Sequence, residues 1–296
     1  MITDAGPHSE PQFAEANGLR LCYDTFGLPA NPPMILIMGF ATQMILWEEE
    51  FCATLAARGF FVVRFDNRDV GLSTKLEGAS ALPPGTPYDL RDMARDTFGL
   101  MDALAMKTAH VVGLSMGGMI AQEMVALAPE RLRSLTSIMS TTGDPKLPGP
   151  TPAAAEALMR PRALDRDSFL EGYLVAWRVF NGGRAPLDET TMRSLGERTF
   201  DRGVNPPGVL RQMAAIVASG DRTQALRDVR VPTLVIHGEA DPLVPITGGR
   251  ATAAAIPGAK LLVIEDMGHL MPRPFWPEII AAIADHAGAA DARSAG

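Results

Sequence analysis

The sequence predicts an α/β fold with a doubly wound, mostly parallel β-sheet of about eight strands, an antiparallel start and an inserted helical segment. Short, wholly apolar runs bounded by Gly or Pro alternate with helical stretches. That alternation is typical of strands buried on both faces of a parallel sheet. An Asn-Gly pair near the N-terminus separates two strand-like runs and indicates a tight hairpin. The strand signal disappears in the middle of the chain and returns near the C-terminus.

The strands and helices follow one another in a regular order. The hairpin comes first, with its turn at Asn17 and Gly18. Strands are then predicted at 34–38, 60–66, 110–114, 132–140, 233–238 and 260–265. Helices are predicted at about 46–58, 88–106, 116–128, 246–256 and 275–287. This order predicts a sheet that is covered by helices on both faces.

The middle segment is predicted to be a helical cap. Residues 142–228 begin with a Pro/Gly-rich stretch and continue with helical sequence rich in Ala, Leu, Met and Arg. Because sheet strands flank this segment on both sides, it should emerge at their carboxyl ends, where open α/β sheets bind ligands. The predicted organisation is a core at 1–141, the cap at 142–228 and the rest of the core at 229–296.

The composition argues against several classes of partner. The formal net charge is −7 and no run of five basic residues occurs, so we expect no binding to nucleic acid. We find neither a signal-peptide pattern nor an apolar run long enough to span a membrane, and we expect a cytoplasmic protein. Cys22 and Cys52 lack metal-site or redox-motif spacing and are expected to be buried. We expect no metal and no cofactor.

The segment GLSMGG at 113–118 fits the pattern G-x-S-x-G with Gly113, Ser115 and Gly117. It follows a predicted buried strand and precedes a predicted helix. A turn of this kind holds its central serine in strained backbone geometry, and it needs small neighbours because side chains there would collide with the backbone. The sequence therefore predicts that Ser115 is an activated nucleophile.

A serine hydroxyl needs a base to accept its proton, and the chain has five histidines. His269 is the candidate, because it follows the strand at 260–265 in the loop before the last helix. His8 lies in the N-terminal segment, and His110 is at the far end of the strand that carries the serine. His237 is interpreted as a buried histidine, and His286 lies in the last helix.

A carboxylate should orient the base and stabilise its protonated form. Asp241 is the first candidate, because it lies in the loop directly after the strand at 233–238. The resulting order of serine, aspartate and histidine is the one expected for a nucleophile on such a turn. Asp144 is the second candidate and Glu239 the third, whereas Asp266 is expected to cap or solvate its own loop.

An oxyanion hole needs two backbone N–H groups that point at the developing negative charge. The turn supplies the first, the N–H of Met116, which follows the serine. The loop MGFATQ at 38–43 follows the first parallel strand and supplies a glycine where backbone must approach a substrate closely. We assign the second donor to the N–H of Phe40.

The motifs together resemble the α/β-hydrolase superfamily, and they span most of the chain outside the cap. They are MGF at 38–40, DNRDVGLST at 66–74, GLSMGG at 113–118, HGEADPLVP at 237–245 and MGH at 267–269. MGF stands where many relatives have a histidine before the glycine. With FDNRDVGLST and LTSIMSTTG, it makes the chain most similar to the carboxylesterase and lipase group that includes the anthracycline methyl esterase.

The resemblance implies hydrolysis of a carboxylic ester of a small, largely apolar substrate. It implies Ser115, Asp241 and His269 as the catalytic triad, with Phe40 and Met116 as oxyanion donors. The same triad also fits hydrolysis of a lactone, a thioester or a carbon–carbon bond, or perhydrolysis. A rival of another class is a non-catalytic receptor for a small apolar ligand. Epoxide hydrolase and haloalkane dehalogenase chemistry is disfavoured, because relatives with those activities carry Asp as the nucleophile.

Two further groups of residues are interpreted as structural. Arg68 and Asp69 in DNRDVG are expected to brace the active edge of the sheet by hydrogen bonds. Six large apolar residues have the spacing of ordinary core and stay outside the predicted site: Met44, Trp47, Met139, Trp177, Met213 and Met271.

Overall fold

A computed structural model of the chain describes residues 6–77, 86–182 and 185–294. An eight-stranded sheet lies at its centre. Its strands are β1 (Gln12–Ala16), β2 (Leu19–Phe26), β3 (Pro33–Ile37), β4 (Phe61–Phe65), β5 (Ala109–Leu114), β6 (Leu132–Ile138), β7 (Thr233–Gly238) and β8 (Lys260–Ile264). Their order across the sheet is β1-β2-β4-β3-β5-β6-β7-β8.

The direction of the strands confirms the predicted fold class. β1 and β2 form the predicted hairpin, and β2 also pairs antiparallel with β4. Every later pairing is parallel. In register, Ile37 pairs with Gly113 and Gly113 pairs with Ser137, so β3, β5 and β6 end side by side. The loops after these strands therefore meet at one edge of the sheet.

Helices cover both faces of the sheet. They are α1 (Glu49–Ala57), α2 (Leu90–Ala103), α3 (Met116–Leu127), α4 (Pro152–Met159), α5 (Arg166–Phe180), α6 (Glu189–Asp201), α7 (Pro206–Ser219), α8 (Thr223–Leu226), α9 (Ile246–Ala255) and α10 (Trp276–Ser294). α2, α3 and α9 pack on one face, and α1 and α10 pack on the other. Each face has its own buried apolar cluster.

The part of the chain between β6 and β7 that the structure describes contains helices α4 to α8 and no strand. Its apolar residues form a separate buried cluster that includes Leu174, Trp177, Phe180 and Leu195. These helices fall in the segment predicted to be a cap, although the boundaries at 142 and 228 stay predictions.

Buried ion pairs join this helical segment to the loop after β4. Arg211 of α7 donates to Asp69 at 2.6 Å, and the side-chain amide of Asn205 donates to the Asp69 carbonyl at 3.0 Å. Burial alone would raise the pKa of Asp69, but the Arg211 guanidinium and other donors outweigh it and lower that pKa. Arg202, at the end of α6, pairs with the buried Asp66. Charged groups therefore brace the cap against the core.

Cys22 and Cys52 are both buried and unpaired, as predicted. Burial raises the pKa of the Cys22 thiol to about 11 and that of the Cys52 thiol to about 12. Both thiols are therefore protonated at neutral pH and act as small apolar side chains. Of the helices in the described ranges, none combines the length and the apolar character needed to cross a bilayer.

Candidate active site

Ser115 lies on a sharp turn between β5 and α3. Its backbone is in the left-handed region, with φ of 56° and ψ of −117°, and its N–H donates to the Ile138 carbonyl at 2.8 Å. A Cβ at Gly113 would overlap the carbonyl of Gly117, and a Cβ at Gly117 would overlap the carbonyl of Ile37. The glycines therefore allow β3, β5 and α3 to converge under a strained serine.

His269 lies in the loop after β8 and is 5% exposed. Its Nε2 is 3.0 Å from Ser115 Oγ, which is hydrogen-bonding distance. Its backbone N–H donates to the Phe180 carbonyl at 2.7 Å, and the Phe180 ring meets the imidazole edge to face. A residue at the end of cap helix α5 therefore helps to hold this histidine.

Asp241 lies in the loop after β7 and hydrogen-bonds to the other ring nitrogen of His269. Its Oδ2 is 2.7 Å from His269 Nδ1. Its Oδ1 accepts hydrogen bonds from the backbone N–H groups of Leu243 at 2.8 Å and Val244 at 2.9 Å. An ionised carboxylate accepts only, so the proton between the two groups is on Nδ1. Nε2 is then free to accept the proton of the Ser115 hydroxyl.

The competing acids lie elsewhere. Asp144 Oδ1 accepts a hydrogen bond from the backbone N–H of Lys146 at 2.9 Å. Glu239 and Asp266 are exposed. In the described parts of the chain, only Asp241 among these four carboxylates is hydrogen-bonded to His269.

The other four histidines are held mainly by other groups, although His237 Nε2 also lies 3.6 Å from Asp241 Oδ2. His237 Nε2 donates to the Val244 carbonyl at 2.8 Å, and burial lowers the pKa of His237, so the ring is neutral and supports the loop that carries Asp241. His8 stacks on Phe26. The remaining two are buried in the core: His110 and His286.

The loop after β3 packs directly against the serine. A Cβ at Gly39 would lie 3.2 Å from the Cβ of Ser115, and Phe40 and Met116 line the same cavity as the serine. Within the described residues, the backbone N–H groups of Phe40 and Met116 have no protein acceptor. Both residues thus line the cavity with an unpaired backbone N–H, and their role as oxyanion donors stays a prediction.

Gln212 of cap helix α7 holds this loop, and sequence reasoning missed it. The residue is fully buried. Its Oε1 accepts from the N–H of Ala41 at 2.8 Å, and its Nε2 donates to the Arg68 carbonyl at 2.8 Å. Ala41 has a positive φ of 52°, so the loop is strained where Gln212 binds it. No local pattern distinguishes Gln212 from a surface glutamine, since both of its partners are distant in sequence.

Arg68 and Asp69 are in bracing positions, in agreement with the sequence interpretation. The Arg68 guanidinium binds both carboxylate oxygens of Asp96 on α2 at 2.6 Å. Asp69 binds Arg211 on the cap and accepts from the Tyr88 hydroxyl at 2.8 Å. These two neighbours therefore tie the same loop to a core helix on one side and to the cap on the other.

A cavity of about 330 Å³ lies between the sheet edge and the cap, with Ser115 and His269 in its wall. Most of the lining surface is apolar, and the cap supplies much of it: Leu158, Phe169, Tyr173, Ala176, Trp177, Phe180, Leu195, Val209, Met213 and Ile216. The sequence interpretation left Trp177 and Met213 out of the site. Both line the cavity, and Trp177 also packs in the cap cluster.

A second cavity of about 270 Å³ adjoins the first. The two share Leu114, Trp177 and His269 among their lining residues. Trp47 and Met271 line the second cavity, and Met44 and Met139 are core residues, as expected. In the ranges that the structure describes, no three His, Cys, Asp or Glu side chains are grouped to hold a metal ion.

A comparison with models of protein families shows which family this chain belongs to. The model described as the alpha/beta hydrolase fold matches residues 32–272, a range that includes Ser115, Asp241 and His269. The chain belongs to the alpha/beta hydrolase fold family. Membership agrees with the strand order and with the mostly parallel sheet, and the helices between β6 and β7 lie where the sequence predicts a cap.

Two relatives are similar to this chain over more than nine tenths of their own length. Rhodomycin D methylesterase DauP of Streptomyces sp. strain C5 is 33% identical, with 92% of this chain and 96% of that protein covered. The putative non-heme bromoperoxidase BpoC of Mycobacterium tuberculosis is 30% identical, with 85% and 91% covered.

Solved structures of other enzymes superpose on more than nine tenths of this chain. A meta-cleavage product hydrolase from Pseudomonas fluorescens gives a TM-score of 0.78 at 18% identity and covers 94% of this chain and 98% of its own. The enol-lactonase from Burkholderia xenovorans gives 0.71 at 25% identity, with 93% and 99% covered. At 18% identity, the similarity to the meta-cleavage product hydrolase shows a shared fold and nothing about activity.

Proposed function

We propose that this alpha/beta hydrolase cleaves carboxylic esters by acyl transfer to Ser115. The observation that carries the proposal is the hydrogen-bonded series from Ser115 Oγ through His269 to Asp241, in the wall of a largely apolar cavity. Its similarity to a methylesterase over most of both chains supports ester hydrolysis independently.

In the proposed mechanism, His269 is first a base and then an acid. Its Nε2 takes the Ser115 proton as the oxygen attacks the ester carbonyl, and it later gives that proton to the departing alcohol. Asp241 stays ionised, holds the imidazole in the required tautomer and stabilises its charged form. A water molecule, activated by the same Nε2, then releases the acid from Ser115.

The backbone N–H groups of Phe40 and Met116 are proposed to bind the oxyanion. Removal of one such donor typically costs about 10²- to 10³-fold in kcat, because the donor is already oriented before charge develops. Both groups lack a protein acceptor in the described chain, which leaves them available to a substrate.

For the substrate, we propose a methyl ester whose acid part is largely apolar. Methanol is a small leaving group, so the acid part of the substrate is what fills the cavity. Aromatic and aliphatic side chains from the cap would enclose that part, and their burial from water would supply most of the binding energy. The named activity of DauP supports the methyl ester.

The same three residues can open a lactone or a thioester, cleave a carbon–carbon bond, or form a peracid. The same residues could also occur in a receptor that binds a small apolar ligand without cleaving it. A direct comparison separates these possibilities: initial rates on matched methyl esters, lactones and thioesters, for the wild type and for Ser115→Ala. We expect the wild type to be fastest on methyl esters and a folded Ser115→Ala protein to be inactive. Retained turnover in that variant would exclude Ser115 as the nucleophile.

Three statements from the sequence stay predictions alongside this proposal. They are the cytoplasmic location, the lack of a nucleic-acid partner and the division of the chain into core and cap. The net charge of −7 supports the second.

A further inference from the structure

Arg162 brings a positive charge to the cavity that contains Ser115. It lies between α4 and α5 in the cap, is partly buried and lines the cavity together with Tyr173 and Trp177. The mechanism proposed above makes no use of this residue. An arginine in a mostly apolar wall therefore needs its own explanation.

Among the residues that the structure describes, no Asp or Glu forms an ion pair with the Arg162 guanidinium, and Tyr173 is the neighbour that affects its pKa. Three buried arginines elsewhere in the described chain bind carboxylates, in the pairs Arg64–Asp24, Arg68–Asp96 and Arg211–Asp69. The buried Arg222 has no carboxylate partner but donates to Gln122 Oε1 and to the carbonyls of Gly220 and Thr141. The Arg162 guanidinium has neither kind of partner among the described residues. Arg162 thus differs from the arginines that hold the fold together.

The remaining charges around the cavity do not neutralise Arg162. Asp69 also lines the cavity, but it is bound to Arg211, so that pair adds no net charge. Burial lowers the pKa of Arg162, and the neighbouring Tyr173 acts in the opposite direction. An arginine keeps its proton throughout the ordinary pH range. The cavity therefore presents a cation that is left to pair with a ligand, since burying an unpaired charge is costly.

We propose that Arg162 binds a carboxylate of the substrate, so that the preferred substrate is a half-ester of a dicarboxylic acid with an apolar body. The inference rests on the proposed ester hydrolysis and extends it to a substrate class. The planar guanidinium matches a carboxylate in a two-point hydrogen bond, which a neutral amide of the same shape cannot reproduce. The acid group would be at one end of the cavity while the methyl ester is at Ser115.

The test compares two series of methyl esters that differ by one group. One series consists of monomethyl esters of linear dicarboxylic acids of increasing length, and the other carries a carboxamide in place of the free acid. The measured quantity is the ratio of kcat/KM for acid to amide at each length. In the wild type we expect the ratio to exceed one and to pass through a maximum at the length that spans from Ser115 to Arg162.

Arg162→Met should lower the maximal ratio about 10- to 100-fold, the range for a hydrogen bond to a charged group, and leave the amide series within a few-fold of the wild type. Arg162→Lys keeps the charge and should retain part of the preference. Arg160→Met is the matched control, because Arg160 is exposed, close in sequence and outside the cavity lining. That variant should behave as the wild type does.

A wild-type ratio of one or less at every length overturns the assignment of Arg162, and so does an unchanged ratio in Arg162→Met.

If the wild type hydrolyses no ester, the proposed function fails, and a binding measurement then decides whether Arg162 binds a carboxylate. The folded Ser115→Ala protein should then bind the acid series more tightly than the amide series, as measured by tryptophan fluorescence. Loss of that difference in Ser115→Ala/Arg162→Met supports the site, and equal binding of the two series by Ser115→Ala overturns it.

Discussion

At the scale of single residues, the proposed chemistry depends on the hydrogen bond between the Asp241 carboxylate and the Nδ1–H of His269. Asp241 accepts two backbone N–H bonds at one oxygen and the imidazole at the other. These bonds hold the carboxylate in place, and the carboxylate in turn selects the tautomer of His269. A change that preserves shape but removes the charge tests this arrangement.

Asp241→Asn should lower kcat by about 10³- to 10⁴-fold, because an amide that donates to Nδ1 selects the wrong tautomer. KM should change little, since Asp241 does not contact the cavity. Steady-state kinetics on a methyl ester measures both values.

Asp144→Asn is the matched control for that change, because Asp144 was the second candidate acid and bonds only to its own loop in the described structure. It should keep nearly full activity. A crippled Asp144→Asn beside an active Asp241→Asn would reverse the assignment of the acid.

The proposed nucleophile, base and acid were predictable because each lies in a loop that follows a strand of the sheet, although β8, before His269, is an exposed edge strand. The motif around Ser115 has a local physical cause in the space that its glycines leave. Arg162 and Gln212 were not predictable, since their roles depend on contacts or missing contacts with residues far away in the sequence. Trp177 is a core residue as interpreted, and it also lines the cavity, which its helical spacing could not show.

At the scale of elements, cap helix α7 acts on the core through Gln212. Its side chain satisfies the N–H of Ala41 and the carbonyl of Arg68, both in loops beside the serine. The loop with Phe40 is therefore held by Gln212 of α7 in addition to its covalent connection to β3.

Gln212→Met should lower kcat roughly 10- to 100-fold with a smaller effect on KM, because a displaced Phe40 N–H weakens transition-state binding. It should also lower the free energy of unfolding by about 1–3 kcal/mol for the polar groups left unsatisfied. Kinetics and denaturant unfolding measure these effects.

Gln224→Met on α8 provides the comparison for Gln212→Met, because Gln224 is exposed and bonds only to Arg227. That variant should match the wild type in both measurements. A Gln212→Met protein that loses stability but keeps full kcat would show that Gln212 supports the fold and not the oxyanion loop.

The element boundaries show what local sequence determines. The predicted strands agree with β3 to β8 within two residues at either end, because apolar runs between Pro and Gly have sharp limits. The predicted helix at 46–58 begins later, at Glu49, since a 3₁₀ turn at Met44–Leu46 comes first. The last helix was predicted to end at 287 and continues through Gly288 to Ser294, because a single glycine among alanines costs only about 1 kcal/mol in a helix interior.

At the scale of the whole molecule, buried ionisable groups couple stability to pH. Burial lowers the pKa of His110, His237 and His286. In the unfolded chain a histidine has a pKa of about 6.5. Between that value and the lower folded value, the unfolded state binds more protons, so the free energy of unfolding falls as the pH drops through about 6.5.

His286→Gln should reduce this dependence, because His286 lies in α10 far from the proposed active site and contributes through its own buried imidazole. Between pH 7.5 and 5.5, the variant should lose less of its free energy of unfolding than the wild type loses. Urea unfolding at several pH values measures the two slopes. Parallel curves would contradict the proposed contribution of His286.

The central claim for the molecule is that Ser115 receives the acyl group. Mass spectrometry of the intact protein and its peptides after reaction with a p-nitrophenyl phosphonate, which mimics the acyl-transfer step, tests it most directly. The account predicts one added phosphonyl group on the peptide that contains Ser115, and no addition to a folded Ser115→Ala protein. An adduct on another residue, or an unmodified Ser115 in a protein that still hydrolyses esters, would contradict it.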